Sequence, residues 1–285
     1  MKRKLKLVIS LFYLCVILIT DFFLNIFFIL KPKLIILYYH SIPKNKIQTF
    51  RWQMNSLTKF GCCVNADFTS TSNIHKRCFA VTFDDGFNSV INNALPELEK
   101  LQIPCTIFIP ANYLGKNPAW DIKGESFDSK EEIINPEKLA SLNQSLVKIG
   151  SHSLNHPDFT LMNSEIQKME FIKSKNILED LVKYRIDLFS FPYGAYNTEA
   201  INNAFASGYK FIFTSDPSFC NFSDFLGPTV RGRIPADTSD SNVEFVVKIL
   251  GGYTWISKYI NLKKRFKSIF KINLNIFYCC IKISP

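Results

Sequence analysis

The chain reads as an α/β protein built on a parallel sheet, either open or closed into a barrel. Three observations point there. Seven apolar, strand-like runs fall at 34–39, 79–83, 105–109, 147–150, 187–191, 209–214 and 229–234. Helix-like stretches lie between or after them, and that alternation is the pattern of parallel strands joined by helical crossovers. Finally, polar residues able to do chemistry cluster at the ends of those runs.

Taken in order, the run 34–39 ends at His40 and leads into a helix over about 47–60. The second, Phe79-Ala80-Val81-Thr82-Phe83, ends in Asp84-Asp85-Gly86, where the glycine permits a sharp exit, and a helix is expected over 88–101. Asn112 follows the run 105–109. The polar region 115–135 reads as a loop over one face, ahead of a helix at 136–144. His152 and His156 follow 147–150, with a long helix over 163–183. Pro192-Tyr193-Gly194 follows 187–191, with a helix over 197–207. Ser215-Asp216 follows 209–214. Arg231 and Arg233 lie in the last run, before a helix over 241–250.

The ends differ from the centre. Lys2, Arg3, Lys4 and Lys6 precede an almost wholly apolar run, Leu7 to Leu30, interrupted by Thr20, Asp21 and Asn25. A basic start before such a run suits a secretory signal or an uncleaved signal-anchor. No small-x-small cleavage site stands near Thr20 or Leu30, which favours an anchor over 1–30. Asp21 is awkward at the centre of a span, so the apolar segment is read as Leu5 to Thr20 with Asp21 at the outer interface. The positive-inside rule then places the remainder outside the cytoplasm, at the cell surface or in the periplasm, and secreted if the segment is cleaved. A buried core helix fits less well, because the run lacks a polar face.

The tail, 251–285, mixes seven basic residues with Trp255, Ile260, Phe266, Phe270, Ile276 and Phe277. A helix on an anionic membrane surface and an ordinary solvated tail helix are both open. Setting aside these seven positive charges and the four at the start leaves −1 of the net +10 for the centre. A near-neutral centre removes the main support for a nucleic-acid partner.

Of the eight cysteines, none forms Cys-x-x-Cys, so a structural zinc knuckle is unsupported. Cys15 and Cys105 lie in apolar runs, where small hydrophobic roles suffice. A disulfide from Cys62 or Cys63 to Cys78 is open outside the cell.

Asp84-Asp85 alone fits a helix N-cap with an acidic first turn. The placement of the histidines argues otherwise. In a βα barrel the strand C-termini converge on one face, so His40, the acidic pair, His152 and His156 meet there. Two acids in such a spot repel one another, and a cation sharing the site resolves the conflict. His152 and His156 are four residues apart; on one helical turn both rings reach one ion, and a carboxylate from Asp84 or Asp85 completes a two-His, one-Asp set.

At these residues the chain resembles the carbohydrate esterase family 4 polysaccharide deacetylases: Thr82-Phe83-Asp84-Asp85-Gly86, then His152-Ser153-Leu154-Asn155-His156-Pro157, then Pro192-Tyr193-Gly194. The resemblance covers about 34–250. Leu37-Tyr38-Tyr39-His40 further resembles the branch acting on poly-N-acetylglucosamine. The resemblance implies a distorted (β/α)7 TIM-like barrel over 34–250, preceded by the membrane-anchor helix, and a metal-dependent N-deacetylase acting on an N-acetylhexosamine-containing glycan. It implies that Asp85, His152 and His156 hold a divalent metal, most often zinc, with cobalt or nickel able to serve. Asp84 is the implied base, drawing a proton from metal-activated water. The backbone N–H of Tyr193 is the implied oxyanion donor, with Pro192 and Gly194 shaping the substrate cradle.

Two departures stand out. No histidine lies beyond His156, so the acid that protonates the leaving amine is assigned to His40, since an imidazole titrates near neutral pH; His75, beside Lys76 and Arg77, reads as solvent-exposed. Ser190 stands where many members carry the arginine that orients the base. Arg233 is the proposed replacement, with Arg231 the competitor, since alternation puts both on one side. Two other functions stay open: deacylation of a lipid-linked sugar, and glycan binding without catalysis. Oligomeric state is not legible.

Overall fold

A computed structural model describes residues 2–26, 33–69, 77–120, 127–221, 229–260 and 262–263. His75 and the tail from 264 onward lie outside the described residues.

Helix α1 (Arg3–Ile26) precedes a barrel of parallel strands. The barrel strands are β1 (Lys33–Tyr39), β3 (Arg77–Phe83), β4 (Cys105–Ile109), β5 (Val147–Ser151), β6 (Leu188–Ser190), β7 (Phe211–Thr214) and the paired segments β9 (Thr229–Gly232) and β10 (Ile234–Pro235), hydrogen-bonded in the order β10-β1-β3-β4-β5-β6-β7-β9. β9 pairs with β7 and, one residue further on, β10 pairs with β1. The strand interrupted at Arg233 therefore nearly closes the barrel. Two short strands pad it: β2 (Cys62–Cys63) runs parallel to β3 below the residues that pair with β4, and β8 (Cys220–Asn221) runs antiparallel to the start of β1.

Between the strands lie α2 (Ile47–Phe60), α3 (Leu95–Lys100), α4 (Pro136–Ala140), α5 (Ser164–Val182), α6 (Thr198–Ala206) and α7 (Asn242–Ile249). Their starts follow capping chemistry: Asn135, Asn163, Asn197 and Ser241 each accept an N–H of the first turn. The helix expected over 88–101 carries a π-type turn at Val90–Ala94 ahead of α3, and that expected over 136–144 stops at Ala140.

Period-two alternation divides the strands' side chains between two clusters. Ile35, Leu37, Phe79, Val81, Ile107, Ile109, Phe189 and Ile212 join the large shell packed under the helices. Leu34, Ile36, Cys78, Ala80, Phe108, Leu188 and Phe213 form the smaller interior cluster. Thr82 and Asp84 on β3, and Ser190 on β6, continue the interior parity toward the strands' C-terminal ends. The barrel is thus apolar at depth and polar at one mouth.

Helix α1 is long and apolar enough to cross a membrane by length and composition, with a mean hydropathy of 2.5. One flank meets the barrel domain. Ser10, Leu14 and Ile17 are buried, Trp255 Nε1 donates to Ser10 Oγ at 2.9 Å, and Asp21 pairs with Lys33 at 2.6 Å. At its start Arg3 pairs with Asp240 and Glu244, at 2.9 and 2.8 Å. Val8, Phe12, Ile19, Phe22 and Phe23 on the other flank are exposed.

Candidate metal and hydrolytic site

The end of β3 sets the site. Asp84 N donates to Tyr39 O, keeping β3 in step with β1, and the chain then turns through Asp85 and Gly86, both at φ +67°. A Cβ on Gly86 would lie 2.3 Å from Ile109 Cδ1, so both space and φ call for glycine there. The turn sends two adjacent carboxylates to different neighbours.

Asp84 meets Arg233. Nη1 donates to Oδ1 at 2.7 Å and Nη2 to Oδ2 at 2.8 Å, a bidentate pair with Arg233 fully buried. Arg233 also donates to Ser190 Oγ at 2.6 Å and Thr82 Oγ1 at 3.1 Å. Burial by itself raises the Asp84 carboxyl and is the largest single influence; the charge and hydrogen bonds of Arg233, together with the neighbouring imidazoles, outweigh it and hold the group below its ordinary value. Arg231 lies elsewhere in the interior, its guanidinium donating to the carbonyls of Ala66 and Phe68.

Asp85 meets the histidines. Its Oδ1 lies 3.2 Å from His156 Nε2 and 3.6 Å from His152 Nε2, and the three ligand atoms fall within 4.8 Å of one another. Burial raises the Asp85 carboxyl, but the two imidazoles bring it down to about 2. Burial depresses His152 to about 4 despite the nearby carboxylates, leaving it neutral at neutral pH. His152 Nδ1 lies 2.8 Å from Ser190 O; as the neutral ring it donates there, which leaves Nε2 as the lone-pair donor.

His152 and His156 do not share a helical turn. His152 follows β5 directly, and His156 arrives through an irregular turn with Ser153 at φ +72° and His156 at φ +55°. Side-chain acceptors, not helical spacing, fold that segment.

These residues fit a divalent metal on chemical grounds. Among the described residues, buried Asp85 Oδ1 has no hydrogen-bond partner. A buried, unpartnered carboxylate oxygen beside two imidazole nitrogens is a donor set suited to zinc and its neighbours.

His40, Tyr193 and Gly194 line, with Asp84, Asp85, His152 and His156, one cavity of about 720 Å³ at the polar mouth. His40 is exposed on its rim, its ring edge-on to Tyr38. Pro192, Tyr193 and Gly194 form a tight turn; Pro192 is buried, and Tyr193 and Gly194 take φ of +56° and +62°. Tyr193 is 55% exposed and edge-on to His156. A Cβ on Gly194 would lie 2.6 Å from Ser215 Oγ.

Sequence reasoning missed Trp120, which stacks on His156 with ring centroids 4.0 Å apart and planes 18° from parallel. It lies in the polar stretch read as a loop, where no periodicity marks a contact. Ser190, which departs from the family pattern in sequence, joins both halves of the site: its carbonyl holds His152 and its hydroxyl holds Arg233.

Residues 71–212 match the family profile described as polysaccharide deacetylase. YxkH of Bacillus subtilis (strain 168), named as a candidate polysaccharide deacetylase, is 26% identical over 223 residues, covering 74% of this chain and 75% of that protein. IcaB from Ammonifex degensii superposes with a TM-score of 0.63 at 19% identity, covering 78% of this chain and 97% of its own. The Streptococcus pyogenes deacetylase PplD, solved with acetate, gives 0.63 at 19%, covering 77% and 99%. A de-N-acetylase from Aggregatibacter actinomycetemcomitans gives 0.60 at 17%, covering 76% and 99%. At these identities the solved structures share the fold.

Proposed function

This chain carries a polysaccharide deacetylase domain, and we propose that it is a metal-dependent enzyme that removes N-acetyl groups from an N-acetylhexosamine-containing polysaccharide or oligosaccharide. One observation carries the reading: Asp84, held from behind by Arg233, and the Asp85, His152, His156 set line a single cavity.

Asp85, His152 and His156 are the residues that would hold the metal, zinc by donor type, with cobalt or nickel as alternatives. When bound, it supplies Lewis acidity, which polarises a carbonyl and lowers the pKa of water. The protein's own groups do the rest. Asp84 accepts the proton of the attacking water, and Arg233 fixes both its oxygens so that the carboxylate stays charged and aimed. The N–H of Tyr193 stabilises the developing oxyanion, and Gly194 and Pro192 shape the turn that presents it. His40, on the rim, delivers the proton that lets the sugar amine leave.

The apolar flank of α1 supports a second element, a signal-anchor over 1–30 that holds the domain, 34–250, on the extracytoplasmic side. It also motivates the alternative of a lipid-linked sugar as substrate. Glycan binding without catalysis is the less favoured reading, since every residue of the hydrolytic set is present.

The test is acetate release from defined N-acetylated glycans by the purified chain. A chelator should abolish it and added zinc restore it. Release that survives full chelation sinks the metal-dependent reading, and faster release from lipid-linked sugars than from soluble oligomers favours the alternative.

A further inference from the structure

Each backbone amide from Ser153 to His156 is bonded to a side chain. Ser153 N donates to Ser151 Oγ at 3.2 Å and His156 N to Ser153 Oγ at 2.9 Å. The two amides between them, of Leu154 and Asn155, both donate to Glu170 Oε2, at 3.0 and 2.9 Å. Asn155 Nδ2 donates to the other oxygen, Glu170 Oε1, at 2.6 Å. One carboxylate therefore collects three donors from two consecutive residues.

Glu170 is a costly residue where it stands. It is 1% exposed, on the face of α5 that also buries Phe171 and Leu178, and among the described residues it forms no ion pair. A buried charge without a cation needs hydrogen-bond donors to offset lost hydration. The turn needs it in return. Ser153 and His156 are both left-handed without being glycine, a backbone that holds only when its surroundings fix it.

We infer that Glu170 is a positioning residue for the metal site. Its carboxylate fixes the Leu154–His156 turn, and so fixes where His156 meets Asp85 and His152. The inference rests on the reading of those three residues as metal ligands.

Glu170→Gln tests it, because the new amide keeps one acceptor oxygen but turns an N–H group toward the Asn155 amide donor. In the purified full chain, zinc affinity measured against a chromogenic chelator should fall about 10- to 100-fold, the usual cost of losing a group that orients a ligand. The visible absorption of the cobalt-loaded protein should change, reporting altered coordination. Adding Asn155→Asp exchanges donor for acceptor across the contact and keeps the acceptor that Asn112 Nδ2 uses. The double variant should regain zinc affinity, whereas Asn155→Asp alone sets two carboxylates face to face and should lose it.

Wild-type affinity and cobalt spectrum in Glu170→Gln overturn the inference. So does a loss that the double variant fails to rescue. The metal reading fails separately, if Asp85→Asn binds zinc as the wild type does. Amide exchange at Leu154 and Asn155 in metal-free protein, expected to quicken in Glu170→Gln, then still reports the hold of Glu170, and unchanged exchange refutes it.

Discussion

The guanidinium of Arg233 meets both carboxylate oxygens of Asp84, at 2.7 and 2.8 Å, with both side chains buried. Arg233 reaches Asp84 over β1, from the junction of β9 and β10, and its guanidinium lies 4.7 and 5.2 Å from the ring centres of Tyr38 and Phe108. The arrangement keeps a carboxylate charged although it is buried. Removing one partner of a buried pair usually costs about 3–5 kcal/mol, because the other is left uncompensated.

Arg233→Lys retains the charge and loses the fork, so one ammonium must replace bonds to two carboxylate oxygens, Ser190 and Thr82. We expect kcat to fall about tenfold or more, with a lower unfolding midpoint. Arg231→Lys should lower the midpoint and spare kcat, since its bonds go to the Ala66 and Phe68 carbonyls. Steady-state kinetics and thermal unfolding of both variants check this; equal kcat losses refute the distinction.

Asp84→Asn should reduce kcat about 10²- to 10⁴-fold, the range for a lost general base, and leave zinc affinity unchanged. Metal titration beside acetate release is the measurement. Loss of zinc together with activity would instead make Asp84 a ligand.

Metal-free protein should lose stability on mild acidification. His152 is depressed to about 4 when folded, so between there and its ordinary value near 6.5 the unfolded chain binds a proton that the folded chain does not. Stability from this group therefore rises with pH across that window, by at most about 3 kcal/mol. Thermal unfolding in chelator from pH 7 to pH 5 should show a falling midpoint, and His152→Gln should flatten the fall. A flat wild-type profile contradicts it.

Gly194→Ala combines a left-handed φ with a Cβ 2.6 Å from Ser215 Oγ. The φ alone costs about 1–2 kcal/mol. We expect a reduced kcat with zinc binding intact, because Gly194 lines the cavity and is not one of the three ligand residues. Unchanged kinetics would remove this turn from the oxyanion reading.

The strands were legible because buried parallel strands read as unbroken apolar runs; 105–109 coincides with β4. The convergence of Asp84, Asp85, His152 and His156 was legible because it follows from strand ends. The path from His152 to His156 was not, since hydroxyl and carboxylate acceptors fold it while spacing alone suggests a helical turn. Alternation could not separate Arg231 from Arg233, because both share the interior parity and differ only in depth. Glu170 and Trp120 escaped notice for a common reason: a polar residue on a helix and an aromatic in a loop carry no periodic sign of what they touch.

Arg3 supplies a constraint on how the chain sits at a bilayer. Its contacts to Asp240 and Glu244 tie the first turn of α1 to the same molecule's α7 end. A 24-residue helix is about 36 Å long at 1.5 Å per residue. Were α1 to span a membrane with its basic start in the cytosol, Arg3 and Asp240 would stand on opposite sides of the hydrocarbon. The docked helix and a spanning helix therefore exclude one another, and a spanning α1 would require Arg3 to be free of its two carboxylates.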